Sequence, residues 1–197
     1  MKTKAPKGYN DYSVSLPTPK LPRGNYVCKV TEAYEDMTPS GNDYIGLDFD
    51  ICEGEYAGYY KKKFDVDSDN NPEAEWKGNI RIYIPEDNDE DSIKRFKRTI
   101  ANIEEDNEGF HFDWSKPVKQ FAGLIIGVKF QPSTYNGYEF QKPKYICSAD
   151  RVRKGTEKLL EPSQQDQTSS APEPQKYVPG SSESNGYKEI EDSDLPF

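Results

Sequence analysis

Histidine occurs once in these 197 residues, at His111, inside the aromatic stretch G-F-H-F-D-W (residues 109–114). A histidine-based triad would have to pass through a side chain that already reads as part of a packed turn. Cysteine is nearly as scarce. Cys28, Cys52 and Cys147 lie far apart among apolar or β-prone neighbours with no C-x-x-C pair, which points to reduced, buried thiols and not to a metal or redox site. No Gly-rich phosphate loop is present. No apolar run approaches the length that spans a bilayer, and the basic residues of positions 1–7 have no apolar stretch behind them, so no signal peptide is expected. Two acidic runs fail as calcium loops: counting from Asp65, the sixth and twelfth places hold Asn70 and Trp76, and counting from Asp87 they hold Ser92 and Arg98. The expectation is a non-enzymatic protein without cofactor or metal, acting in the cytoplasm.

Aliphatic content is also low. Hydrophobic residues make up 33% and charged residues 31%, too little apolar material for uniform packing, so part of the chain is expected not to fold. The net charge of −9 is uneven. Residues 156–197 carry nine acidic and three basic side chains, which leaves only −3 for residues 1–155. Basic groups cluster there, at Lys2, Lys4, Lys7, Lys20 and Arg23 and again at Lys61, Lys62 and Lys63. Overall acidity therefore does not exclude a polyanionic partner.

What is present divides the chain. Residues 1–22 hold four prolines and no periodicity, and read as a basic arm. Residues 23–155 show short β-branched and aromatic stretches separated by turn signals. Residues 26–31 and 44–52 read as a hairpin through T-P-S-G-N; in the second stretch Ile45, Leu47, Phe49 and Ile51 alternate with Tyr44, Gly46, Asp48 and Asp50. Residues 59–66 read as a further strand, and in residues 79–84 Ile80, Ile82 and Ile84 point inward. A helix follows, capped at Ser92, with Ile93, Phe96, Ile100 and Ile103 on one face. Residues 124–130 and 138–146 form a last hairpin around Asn136-Gly137. Strands with one helix before the final hairpin predict an all-β, OB-fold-like Greek-key barrel of five or six strands, with a β-sandwich as the competing architecture. Residues 156–190 are a polar linker with almost no aliphatic side chains.

The chemistry that remains is aromatic and cationic. Fourteen tyrosines stand in an otherwise polar chain, and several lie on the outward face of strands or in turns beside cations. Tyr44, Tyr59, Tyr60, Lys61, Lys63, Trp76, Arg81, Tyr83, Tyr135, Tyr138, Lys142 and Lys144 form the candidate set. Rings stack on the π-faces of unpaired bases while Lys and Arg follow the phosphates, which is the pattern of sequence-tolerant single-strand binding. Tyrosine also suits half-exposed sheet faces for its own sake.

The segment Glu191, Asp192, Ser193, Asp194, Leu195, Pro196, Phe197 resembles the acidic C-terminal tip of bacterial single-stranded DNA-binding proteins. With L-P-R-G-N-Y (residues 21–26) and G-E-Y-A-G-Y (residues 54–59) leading into residues 61–64, the chain looks like a phage-encoded, SSB-like family. The resemblance implies a protein that coats single-stranded DNA during phage replication or recombination in the host cytoplasm. It also implies recruitment of genome-maintenance proteins through a tip of Glu191, Asp192, Asp194, Leu195, Pro196 and Phe197, the Phe ring filling an apolar pocket. The alternative is a protein-interaction adaptor that uses its β domain and the same tail without binding DNA. Unpaired edge strands leave homo-oligomerisation open.

Overall fold

The computed structural model describes residues 18–135 and 137–162; the first part of the basic arm, residues 163–190 of the linker and the tip at 191–197 lie outside the described residues. Within them, five antiparallel strands form one open sheet in the order β3-β2-β1-β4-β5, with β3 and β5 as its two edges. The protein is mostly β, and the closure expected of a barrel is not reached among the hydrogen-bonded strands.

β1 (Asn25–Met37) and β2 (Asp43–Ile51) pair along nearly their whole length. Between Val30 and Glu32 the register shifts by a bulge, so Val30 and Ala33, three residues apart, both face inward. A strict two-residue period would have turned one of them out; the extra residue, Thr31, resets the alternation and bends the strand. The turn between them follows the sequence signal, Gly41 donating its N–H to the Thr38 carbonyl at 2.8 Å.

Residues 59–66, expected as a strand, form instead the first two turns of α1 (Tyr59–Asn70). Gly58 stands before the helix at φ 73° and offers no side chain to cap it. The cap comes from β2: Asp50 accepts the backbone N–H groups of Tyr60 at 2.9 Å and Lys61 at 3.2 Å. Lys61–Asp65 and Lys63–Asp67 ion pairs at i,i+4 brace the exposed side. Tyr60 sinks into the core edge-on to Phe49, and Phe64 meets Trp76 at 5.7 Å.

β3 (Asn79–Tyr83) pairs with β2 and buries Ile80 and Ile82 as its alternation predicts. α2 (Glu90–Asp106) places Phe96, Ile100 and Ile103 in the core; its cap is Asp89, three residues before the expected Ser92, accepting from the N–H groups of Asp91 and Ser92. Beyond it Asn107 bonds the carbonyls of Ile103 and Ile125 and accepts from Ile125 N–H, fixing the helix end against β4.

β4 (Ile125–Tyr135) and β5 (Tyr138–Cys147) are longer than their sequence stretches suggested. β4 pairs with β1 only as far as Lys129, so residues 130–135 and 138–143 run on as a two-stranded ribbon with no third strand hydrogen-bonded to them among the described residues. Pro132 and Pro143 are tolerated because part of the backbone of such a ribbon needs no ladder partner. α3 (Ala149–Arg153) then packs on β4. Gly127 is required there, since a Cβ would lie 2.8 Å from the Ser148 backbone.

The chain stays attached beyond the expected boundary at residue 155. Glu157 binds Lys129 at 2.8 Å and Arg151 at 3.2 Å, and its carbonyl accepts from Asn25 Nδ2 at 3.0 Å. Arg23 bonds both the Leu160 carbonyl and the Glu161 carboxylate at 2.8 Å, and Gln131 reaches the Glu161 carbonyl. At the other end Leu21, assigned to the arm by its surroundings, is buried in the core.

Candidate functional site

The twelve residues proposed from sequence separate into three environments. On the outer face of β1–β3 the rings are already engaged. Tyr44 is only 3% exposed, lies beneath the Arg81 guanidinium at 4.5 Å and donates its hydroxyl to Asp36 at 2.7 Å. That hydrogen bond raises the Tyr44 phenol and lowers the Asp36 carboxyl from their ordinary values. Tyr34 covers Gly46, where any Cβ would clash with its ring. Glu32 sits opposite Asp48 and Lys29 opposite Asp50, and burial together with Glu32 raises the Asp48 carboxyl. Tyr83 alone among the proposed rings of this face is well exposed. An acidic sheet face with its tyrosines folded down is a poor track for phosphates.

The α1 group is structural. Tyr60, at 5% exposure, is a core residue and not a stacking platform, and burial drives its phenol far above the usual range. Tyr59 is half-buried against Tyr60, edge to face at 5.3 Å. Trp76, assigned to stacking from sequence, packs on Tyr60 and Phe64 and donates its indole N–H to the Gly78 carbonyl at 3.0 Å. Lys61 and Lys63 are each spent on an aspartate of their own helix.

The third environment is the ribbon. Residues directly paired across an antiparallel ladder share a face. Tyr135 stands opposite Tyr138, Ser133 opposite Phe140, Gln131 opposite Lys142 and, after a register shift, Lys129 opposite Tyr145. One face therefore carries Tyr135, Tyr138, Phe140, Lys142 and Tyr145 in succession from the ribbon's end toward the sheet. Tyr135 and Tyr138 are 71% and 73% exposed, and Phe140 and Tyr145 are exposed as well. Lys144, in the shifted register, reaches over the Tyr145 ring at 5.9 Å. Glu139 is the one acid in this strand against Lys142 and Lys144.

Phe140 and Tyr145 were missed from sequence. Phe140 is two residues from Tyr138, and the period of two would have found it; Tyr145 shares the face only because of the register shift.

His111 is exposed at the edge of a ring cluster formed by Phe96, Phe110, Phe112, Trp114 and Phe121. Burial pushes the Cys28 thiol well above its ordinary value and the Cys147 thiol to about 12, so neither is a ready nucleophile. Among the described residues no group of three or more His, Cys, Asp or Glu could hold a metal ion, and no helix is long and apolar enough to cross a membrane. In sequence the chain matches no family model and no curated protein.

Proposed function

We propose that this protein binds single-stranded DNA, coating exposed strands in phage replication or recombination and recruiting enzymes of those processes through residues 191–197. The observation that carries the reading is the ribbon face, where Tyr135, Tyr138 and Phe140 stand uncovered in a row beside Lys142 and Lys144. Each base brings a flat π-face to a ring while the lysines meet the phosphates, an arrangement indifferent to sequence. The strand order β3-β2-β1-β4-β5, with β1 pairing both its hairpin partner β2 and β4 of the last hairpin, supports an OB-like barrel left open between β3 and β5. In that class the final hairpin loop flanks the ligand face. In this reading the protein acts by binding, as a non-enzyme without a cofactor.

Fluorescence anisotropy with labelled oligo-dT and a duplex of equal length tests it. Binding to oligo-dT should be much the tighter and should weaken as salt rises, because lysine contacts release counterions. Equal affinity for both would reject the proposal.

The acidic outer face of β1–β3, with Glu32, Asp36 and Asp48, favours a second reading, an adaptor that presents this face to a basic protein. An intact protein that ignores oligo-dT at low salt would favour it.

A further inference from the structure

Beside α2 lies a groove of about 340 Å³ with mostly apolar walls, among them Ile93, Phe96, Ile100, Phe112 and Trp114. Trp114 stacks on Phe96 with centroids 5.1 Å apart and planes 16° from parallel, and Phe112 meets Trp114 edge-on at 4.8 Å. Two neighbours thus fix the plane of the indole, yet Trp114 is 63% exposed. Cations stand next to it. Lys97 lines the groove, and Arg98 lies three residues before the lining residue Ala101. Both are exposed, and neither is in an ion pair among the described residues. The nearby acids are engaged: Glu104 accepts the Phe112 N–H at 2.9 Å, and Glu90 holds Lys94 at 3.0 Å.

A line of polar contacts joins this groove to the ribbon. Lys129, opposite Tyr145 at the foot of the ribbon face, binds Glu157 at 2.8 Å; Glu157 binds Arg151 at 3.2 Å, and Arg151 donates to Asn102 Oδ1 at 2.7 Å. Asn102 is four residues beyond Arg98 on α2, the spacing of neighbours on a helix surface. Cations therefore recur from Lys142 and Lys129 through Arg151 and Arg98 to Lys97, with exposed rings at either end. An apolar peptide would fill the groove without using that line. A single strand uses both, because each nucleotide brings a phosphate and a flat base together.

We propose that a single strand bound along the ribbon continues past Arg151 and Arg98 onto α2, where one base stacks on Trp114 and the adjacent phosphates meet Lys97 and Arg98. The inference rests on the DNA-binding reading above and deepens it, giving the domain two anchors, tyrosines on the ribbon and an indole beside α2. A strand must be long enough to span both, so affinity rises with oligonucleotide length until both are filled.

Tryptophan emission of the full chain, titrated with unlabelled oligo-dT in parallel with the anisotropy assay, tests the inference. Emission of the parent should fall on binding, since a stacked base quenches an indole. It should not fall in Trp114→Phe, where Trp76 alone emits from its packed position. Trp114→Ala should lower oligo-dT affinity roughly 5- to 150-fold. Lys97→Gln combined with Arg98→Gln should flatten the salt dependence, the slope of log K against log salt falling by about 1.4 for two phosphate contacts on a single strand. That pair replaces only exposed side chains, so its result stands whatever Trp114→Ala does to folding. Oligo-dT that binds by anisotropy but leaves Trp114 emission unchanged would overturn the groove site, spare the ribbon and leave the groove to an apolar segment of a partner protein. Quenching at undiminished affinity in Tyr138→Ala would keep the groove and reject the ribbon. Absence of binding by either readout would reject both.

Discussion

The outer face of β1–β3 and the face of the β4–β5 ribbon are both rich in tyrosine, yet they present opposite chemistry. On the three-stranded side Tyr34 lies across Gly46 of the neighbouring strand, and Tyr44 lies beneath Arg81 of the next. On the ribbon β4 has left β1, no third strand is hydrogen-bonded alongside among the described residues, and Tyr135, Tyr138 and Phe140 stay exposed. Outward alternation sets only the direction of a side chain. The width of the sheet beneath it decides whether the ring stays in water, and a two-stranded extension keeps its rings available.

Four substitutions test how sharply these environments differ. The largest effect is expected inside α1: Tyr60→Ala should cost roughly 3–5 kcal/mol of stability, the range for a buried aromatic, read by thermal or urea unfolding. A Tyr60 variant that unfolds like the parent would place this ring on the surface after all. Next, Tyr138→Ala should leave stability within about 0.5 kcal/mol but lower oligo-dT affinity by about 1–3 kcal/mol, roughly 5- to 150-fold. Tyr44→Phe should leave oligo-dT affinity unchanged; the reverse ranking would move the interface to the β1–β3 face. The smallest effect concerns the clasp. The Lys129 hydrogen bond, aided by the charges of Lys129 and Arg151, holds the Glu157 carboxyl below its usual value. A carboxyl depressed on folding stabilises the protein above its unfolded pKa of about 4.3 and loses that contribution as pH falls through the lower folded value. Urea midpoints should therefore decline more steeply below about pH 4.5 in the parent than in Glu157→Gln, and parallel curves would remove Glu157 from the acid response.

Where local pattern and tertiary setting agree, the sequence was readable. β2, β3 and the apolar stripe of α2 follow from alternation at residues 45–51 and 80–82 and from the spacing of Phe96, Ile100 and Ile103. α1 was not readable, because its cap, Asp50, comes from a strand ten residues from Tyr60, and no scan of residues 59–66 contains it. The same step hid the burial of Tyr60, whose alternation within a strand would have been neutral. Residues 131–135 looked like a loop on account of Pro132 and Ser133, and only the departure of β4 from β1 makes a proline acceptable there. Of the candidate site, Tyr135, Tyr138, Lys142 and Lys144 fall together on the ribbon, while the α1 set dissolves into core and helix. The sequence shows which residues are aromatic or basic; which of them share a face is decided by register, set by a bulge in β1 and a shift in β5.

Arg23 and Glu161 are joined at 2.8 Å, and Asn25 touches the backbone at Glu157. Topologically the strands and helices between them form a loop already drawn shut, its closing link a hydrogen-bonded clasp and not a peptide bond. A few added residues could turn that clasp into a covalent seam, and the chain could then be opened elsewhere, as at the turn of residues 38–42. The spatial neighbours would survive while the order of synthesis changed, so the arrangement of this sheet belongs to its contacts and not to the direction in which the chain is written.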